Sequence, residues 1–563
     1  MHVRLSSPWL PLGIILLLTV ALYARAVSFG FVSLDDPLLV TGNPLIMDTS
    51  FRGILAMFSS YDPELYIPIT FLSLALEYMF VGSAPWLYHA TNIALHLLST
   101  ALIFGILLRM KIGVAAASVG AAFFALHPIN VEAVAWVSAR KDLLSTAFAF
   151  GSLYAALPLL QDSGWQWNRR GFFALLLFFC ALLSKVSVVL LPLGWLLILW
   201  NAKRCSWKLL RQLLPFFFLS TLFLLIAILG KQKALPLVSA SELLLIFARA
   251  TALQLKHIFL TPWDLAVFYP VPRPIGPFLP PYAGSMLLPL VIGFTGWLFS
   301  RRSRQIGLLT LLFFVFFLPS IATVQKGTEL YLTSDRYVYS AMLPIAAFVG
   351  IALQWLWQRS RGNTIRRGLL LAITGLLATA MTGMAHDRIA TWATNETFLR
   401  TALHASPAVA LLHYNLGREL ALQGKTAEAQ VAFEETLRID PTFAEAAVNI
   451  GFLVQEQGEH TEAIDHYRRA LQIDPTSAHA WLNIGAILMD EGKFHEAILA
   501  LERATDLEPH SARAWRTLGS AYGKLSRYQD GLEAYRKAMA LDPRLKEELA
   551  TLEKAMEGLE GNL

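Results

Sequence analysis

The chain has 563 residues, 55% of them hydrophobic, and a mean hydropathy of +0.51. That apolar share excludes an ordinary water-soluble enzyme and indicates a membrane protein with a soluble part. The net charge of +6 conceals two halves: residues 1–390 carry 29 Lys/Arg against 14 Asp/Glu (+15), and residues 391–563 carry 17 against 26 (−9). The basic residues of the first half lie in short loops between apolar runs, which excludes a nucleic-acid partner and marks membrane orientation instead. The two cysteines, Cys180 and Cys205, imply no disulfide framework.

In chain order, residues 9–24 read as a membrane span, retained as the first helix rather than removed as a signal peptide. Asp35 and Asp36 follow it directly. Adjacent carboxylates raise each other's pKa and both need solvation, so a membrane surface holds them at a cost unless they are used. The alternative is a solvated acidic loop. We expect about eleven spans, near 9–29, 89–108, 112–127, 143–160, 171–184, 187–200, 212–229, 282–299, 305–322, 338–357 and 368–385. Basic clusters at Arg109/Lys111, Arg169/Arg170, Lys203–Arg211, Arg301–Arg304 and Arg359–Arg367 fall on one side, the cytoplasmic one. Among the acids of this half only Asp162 shares that side. Outer loops are expected at 30–88 and 230–281, and an odd number of spans places everything after residue 385 outside.

The tail is periodic. Pro407, Pro441, Pro475, Pro509 and Pro543 recur every 34 residues. Gly417, Gly451, Gly485 and Gly519 keep the same period, as do Phe433, Tyr467, Leu501 and Tyr535. This is the tetratricopeptide pattern: small residues where two helices touch, a large side chain in the groove, Pro after the second helix. Four repeats are expected over 410–545, with a connecting helix at 391–409 and a polar cap at 546–563. Asn415, Asn449 and Asn483 recur two positions before the repeat glycine. Such a ladder can hydrogen-bond an extended peptide backbone; equally, Asn is common at that slot.

Four clusters are expected to share the outer face with Asp35 and Asp36. The first is His127, Glu132, Arg140, Lys141 and Asp142; the second is Lys185. The third is Asp335, Arg336 and Tyr339, and the fourth the loop carrying Lys231, Lys233, Arg249, Lys256 and His257. Lys185 alone could be a snorkelling lysine, and Arg140 and Arg336 could be ion-pair partners of Asp142 or Glu132. Together, cations beside a carboxylate pair suggest a cradle for a lipid-linked phosphate, with acids placed to move a proton from an acceptor hydroxyl.

The order of Asp35-Asp36, YIPITFLS at 66–73, PWLYHATNIALH at 85–96, HPINVEAVAWVSARKD at 127–142, LSK at 183–185, SDRYVY at 334–339 and terminal repeats closely resembles the transmembrane and tetratricopeptide repeat-containing O-mannosyltransferases. The chain departs from their pattern at Val186 and at Tyr66-Ile67-Pro68. The resemblance implies an all-α fold, a polytopic GT-C glycosyltransferase domain over 1–390 followed by an α-solenoid of repeats. It implies Asp35 and Asp36 as catalytic, with His127, Glu132, Arg140, Asp142, Lys185, Arg336 and Tyr339 binding substrate. The donor is then a polyprenyl-phosphate sugar, the acceptor a polypeptide Ser/Thr held by the repeats through Asn415, Asn449 and Asn483. No cofactor or metal is expected, although a divalent ion on the acid pair stays open. The expected setting is a bacterial inner membrane, multi-pass, with the catalytic face and repeats outside. Alternatives are the same chemistry on a lipid or glycan acceptor, and a non-enzymatic envelope scaffold.

Overall fold

Residues Trp9–Tyr23 form the first helix, α1, without one charged residue, and a 3₁₀ turn extends it to Ser28. In lipid such a helix satisfies its backbone polar groups internally. The computed structural model describes residues 8–61, 65–161, 168–231, 238–267, 269–285, 304–326 and 329–545, with 287 and 293. Asp162, Lys233, Arg301, Arg302, most of the span expected near 282–299 and the cap expected at 546–563 lie outside the described residues. The chain divides between Ser406 and Pro407 into two compact units.

The stretch expected as an outer loop at 30–88 is largely helical. It folds as α2 (Pro44–Met47), α3 (Phe51–Met57) and α4 (Pro68–Val81). Asn43 and Ser50 cap the first two by accepting from Leu45 N and Gly53 N, which satisfies amide groups the helices leave free. Leu39, Val40, Ile46, Met57, Phe71 and Leu74 bury themselves around Tyr88 and Val137. The acidic loop is therefore anchored to the later chain by a hydrophobic cluster of its own.

Next come α5 (Trp86–Arg109) and α6 (Val114–Leu126). The chain then bends by 50° before α7 (Val131–Ala135). Pro128 opens the new turn, and His127 caps it by accepting from Ile129 N. After a 3₁₀ turn at Val137–Ala139 come α8 (Arg140–Gln161) and α9 (Arg169–Ser184). His127 to Asp142 is buried throughout. The bend folds it back among α5, α8 and the chain around Asp335, so its charged side chains are covered by protein rather than open to water.

The rest of the unit holds α10 (Leu191–Asn201), α11 (Trp207–Lys231), α12 (Ala240–Phe259), α13 (Arg304–Phe317), α14 (Met342–Arg359), α15 (Thr364–Ala390) and α16 (Asn395–Ala405). The loop expected at 230–281 thus contains a full helix, α12, opened by a reciprocal Ser239–Glu242 capping box. Strands β1 (Tyr269–Pro270), β2 (Gln325–Lys326) and β3 (Glu329–Thr333) form a small antiparallel sheet in the order β1-β3-β2. Its centre leads into Ser334–Arg336. Helices α6 and α14 touch backbone to backbone: a Cβ on Gly120 would meet Ala346 O at 2.5 Å. Small residues at such crossings let helices approach without a hydrophobic driving force.

Among the described residues five helices are long and apolar enough to cross a membrane: Trp9–Ser28, Trp86–Arg109, Val137–Leu160, Trp207–Gly230 and Thr364–Ala390; the bent pair Val114–Leu126 and Pro128–Ala135 adds a sixth if it is one span. The expected eleven are not found among the described residues. The runs 171–184, 187–200 and 305–322 form helices of 11 to 16 residues, at most about 24 Å at 1.5 Å per residue. A bilayer core is about 30 Å thick. At Lys185 the backbone is extended, φ −168°, so α9 and α10 are separate short helices.

The second unit pairs helices α17 (Ala410–Leu422) and α18 (Thr426–Ile439), α19 (Ala444–Glu456) and α20 (His460–Ile473), α21 (Ala478–Asp490) and α22 (Phe494–Leu507), α23 (Ala512–Lys524) and α24 (Tyr528–Leu541). A Cβ on Gly417 would lie 2.6 Å from the Phe433 ring, and one on Gly519 equally close to Tyr535. The turn within each pair needs positive φ. Gly424, Gly458 and Gly492 supply it, and Ser526 adopts it at 58° in the fourth.

Candidate functional site

Asp36 is 1% exposed. Its Oδ2 accepts from Val32 N at 2.8 Å, and its Oδ1 from Ser138 N at 3.0 Å and from Ser138 Oγ. Burial pushes its carboxyl up to about 6 despite those donors. Asp35, next to it, keeps 26% of its side chain exposed and lies 3.7 Å from Lys141 Nζ. The pair was expected in an open loop; only Asp35 is partly open.

Behind Asp35 the buried segment and the β3 turn converge. Lys185, at the break between α9 and α10, donates from Nζ to Asp142 Oδ1 at 2.6 Å. Arg336 donates to Glu132 Oε1 at 2.5 Å and to Ser334 Oγ at 2.7 Å. Glu132 also accepts from Ser334 Oγ and, at 3.0 Å, from Asp335 N. Arg336 Nε stands 3.9 Å from Asp142 Oδ2, and neither atom has a hydrogen-bond partner. The Arg336 guanidinium lies over the Trp136 ring at 4.6 Å and the Tyr337 ring at 4.9 Å; Lys185 Nζ lies over Tyr337 at 5.1 Å. Asp35, Glu132, Asp142, Lys141, Lys185 and Arg336 thus form one group with three charges of each sign. It retains unmet donor and acceptor capacity, which is what a site for a charged substrate requires.

Asp335 turns the other way. Its Oδ1 accepts from Tyr269 OH at 2.9 Å and its Oδ2 from Arg388 at 2.5 Å, and burial raises its carboxyl to about 7. Arg388 closes α15. Just beyond it Trp392 stacks on Trp136 at 5.5 Å, and Asn395 Oδ1 accepts from Ser33 N. Ser138, Tyr337, Arg388 and Asn395 were not expected in the site; Ser138 lies inside HPINVEAVAWVSARKD and Tyr337 inside SDRYVY, whereas Arg388 and Asn395 lie in no motif.

Other expected residues lie apart from this group. Arg140 is fully buried and fully used: it donates to Glu77 Oε1 at 2.9 Å, Ser73 Oγ at 2.9 Å, Tyr88 O at 2.7 Å and Asn92 Oδ1. That corrects its expected place in a phosphate cradle, since it has an ion-pair partner and no exposed face. His127 binds Ile258 O and Ile129 N. Tyr339 meets His96 Nδ1 at 2.8 Å inside the helix bundle. Both are packing residues here. Among the described residues no three His, Cys, Asp or Glu side chains are grouped for a metal ion.

In the second unit the three asparagines differ. Asn415 is half-buried. Asn449 Nδ2 donates to Glu445 O at 2.8 Å and Tyr414 OH at 3.3 Å. Asn483 is 7% exposed and lies beside Tyr467, whose hydroxyl donates to Gln455 Oε1 at 2.7 Å. An even ladder of solvated amides is therefore not what the fold presents, because Asn483 is buried while Asn415 is only half-buried.

Three family models described as Tetratricopeptide repeat match residues 414–478, 454–521 and 512–545, so the second unit is a tetratricopeptide array. Over more of the chain, a protein O-mannosyl-transferase of Caenorhabditis elegans is 24% identical across 468 residues, 76% of this chain and 62% of that protein. The protein O-mannosyl-transferase TMTC2 of Homo sapiens is 30% identical over 165 residues, 28% of this chain and 20% of that one. Among solved structures, the MamA protein is 23% identical, covering 27% of this chain and 84% of that one, with a TM-score of 0.24. The chain is thus a repeat-containing relative of the transmembrane and tetratricopeptide repeat O-mannosyltransferases. It spans 62% of the length of the first relative and a fifth of the second.

Proposed function

We propose that this protein is an integral membrane glycosyltransferase of GT-C type that moves a sugar, mannose by resemblance, from a polyprenyl phosphate to Ser/Thr hydroxyls of a polypeptide. The observation that carries the reading is the partly open Asp35 carboxylate beside Lys141, with Lys185 and Arg336 behind it. In this scheme Asp35 takes the proton of the acceptor hydroxyl. The freed oxygen attacks the anomeric carbon, the bond from that carbon to the phosphate oxygen breaks, and the configuration inverts. The electron pair leaves on the polyprenyl phosphate, whose charge faces Lys141, Lys185 and Arg336. Asp36 positions the loop through Ser138. The repeats hold the acceptor, and both they and the site face the extracytoplasmic side.

The names of the relatives support the transferase class, and the burial of a balanced charge group supports a site more than a scaffold. The test is incubation of membranes holding the full chain with radiolabelled polyprenyl-phosphate mannose and an unfolded acceptor polypeptide. Label on the acceptor that vanishes in Asp35→Asn supports the reading. Label on lipid instead selects the glycolipid alternative, and no transfer of any sugar leaves the scaffold.

A further inference from the structure

Helices α5, α8 and α9 enclose a groove of about 430 Å³ away from the group just described. Leu98, Leu102, Phe148, Phe173 and Leu177 make its walls apolar, and Arg109 and Arg170 lie on its lining. Arg109 ends α5 and Arg170 opens α9, so both arginines sit at the end of α8 opposite Asp142 and Lys185. The lining positions Ala147 and Ala155 are eight residues apart on α8, about 12 Å at 1.5 Å per residue. From α8 the lining takes Ala147, Gly151 and Ala155 beside Phe148 and Tyr154, and a Cβ on Gly151 would already lie 3.3 Å from Leu177 Cδ1.

Arg109 is held in place. Its guanidinium lies 3.4 Å from the Tyr154 ring centre, and Nη1 donates to Tyr154 O. Arg170 is exposed. Among the described residues neither has a carboxylate partner, so two positive charges stand at one end of a hydrocarbon slot. A volume of this size is that of a small-molecule site. Guanidinium groups suit phosphate oxygens, and basic pockets between membrane helices take anionic head groups. We propose that the groove binds one anionic phospholipid of the surrounding bilayer, with an acyl chain along α8 and the phosphate at Arg109 and Arg170. The site is independent of the glycosyl-transfer reading and lies at the other membrane face.

Native mass spectrometry of the full chain in detergent tests it, with equal phosphatidylglycerol and phosphatidylcholine as probes. We expect one retained phosphatidylglycerol in preference to phosphatidylcholine. Arg170→Glu leaves the helix packing alone and should lower that preference about tenfold or more, the scale of a lost charge-assisted contact. Ala155→Phe fills the slot at constant charge and should remove both adducts. An unchanged preference in Arg170→Glu overturns the proposal. So does an unchanged adduct in folded Ala155→Phe, or inorganic phosphate displacing the lipid at equal concentration, which would mark a free-anion site.

Discussion

Ser138 donates its backbone N–H to Asp36 Oδ1 at 3.0 Å across 102 positions of sequence, and this contact separates the roles of two adjacent carboxylates. Asp36 is spent on structure. Asp35 is left with a partly open face toward Lys141.

That separation predicts different failures. Asp35→Asn should fold normally and lose transfer by roughly 10²–10⁴-fold, the size of a missing general base. Asp36→Asn sets an amide NH₂ against the Val32 or Ser138 N–H and should cost about 1–3 kcal/mol of stability. Thermal unfolding and transfer assays on both variants check this; a normal melting curve for Asp36→Asn contradicts the assigned division.

Arg140 and Glu77 form a buried ion pair with no open face. Arg140→Met should destabilise by about 3–5 kcal/mol, because Glu77 is left charged and unpaired. Adding Glu77→Leu should restore most of the loss. The folded double variant should keep its donor KM. A raised donor KM there would return Arg140 to the substrate site.

The pH dependence has a defined sign. Asp36 titrates near 6 and Asp335 near 7 in the folded chain, both above the unfolded value of about 3.9. Groups raised in this way favour the native state most below the unfolded value, and that contribution is lost as pH rises through 6 and 7. The Asp36 share shows as a difference between two proteins: from pH 5 to pH 7.5 the melting temperature of the detergent-solubilised protein should lose ground relative to that of Asp36→Asn, and a gap that stays constant or moves the other way would reverse the assignment.

Ser526 holds a positive φ that three sister repeats give to glycine. Ser526→Gly should stabilise the last helix pair by about 1 kcal/mol. Hydrogen exchange of the full chain reads this as slower exchange over Tyr528–Leu541.

The asparagines should also separate. Asn483→Ala removes a buried amide beside Tyr467 and should cost about 1 kcal/mol of stability, whereas Asn415→Ala should cost little. If the amides hold an acceptor, Asn415→Ala should impair modification of a long polypeptide and spare a short peptide. Equal modification of the long acceptor removes Asn415 from that role.

Legibility in the sequence followed the range of the signal. The repeats were plain because glycine 417 and phenylalanine 433 recur with their contact built into a 34-residue period. Lys185 stood out as a charge between apolar runs. The count of eleven spans is not reached among the described residues for the same local reason: an apolar run records that a segment avoids water and does not record where the helix stops. The runs 171–184 and 187–200 part at the extended backbone of Lys185 as helices of 16 and 11 residues, and the chain bends by 50° at His127, where the run 112–127 ends.

By itself the sequence determined a membrane-embedded helical half and a tetratricopeptide half, since transfer energies and repeat periods add up residue by residue along the chain. Only the tertiary structure decided which charges are free. Arg140 found Glu77 63 positions away, Arg336 found Glu132 across 204, and Asp36 was closed by Ser138. A buried charge must be paired wherever its partner lies, and no local pattern records a partner brought in by the fold.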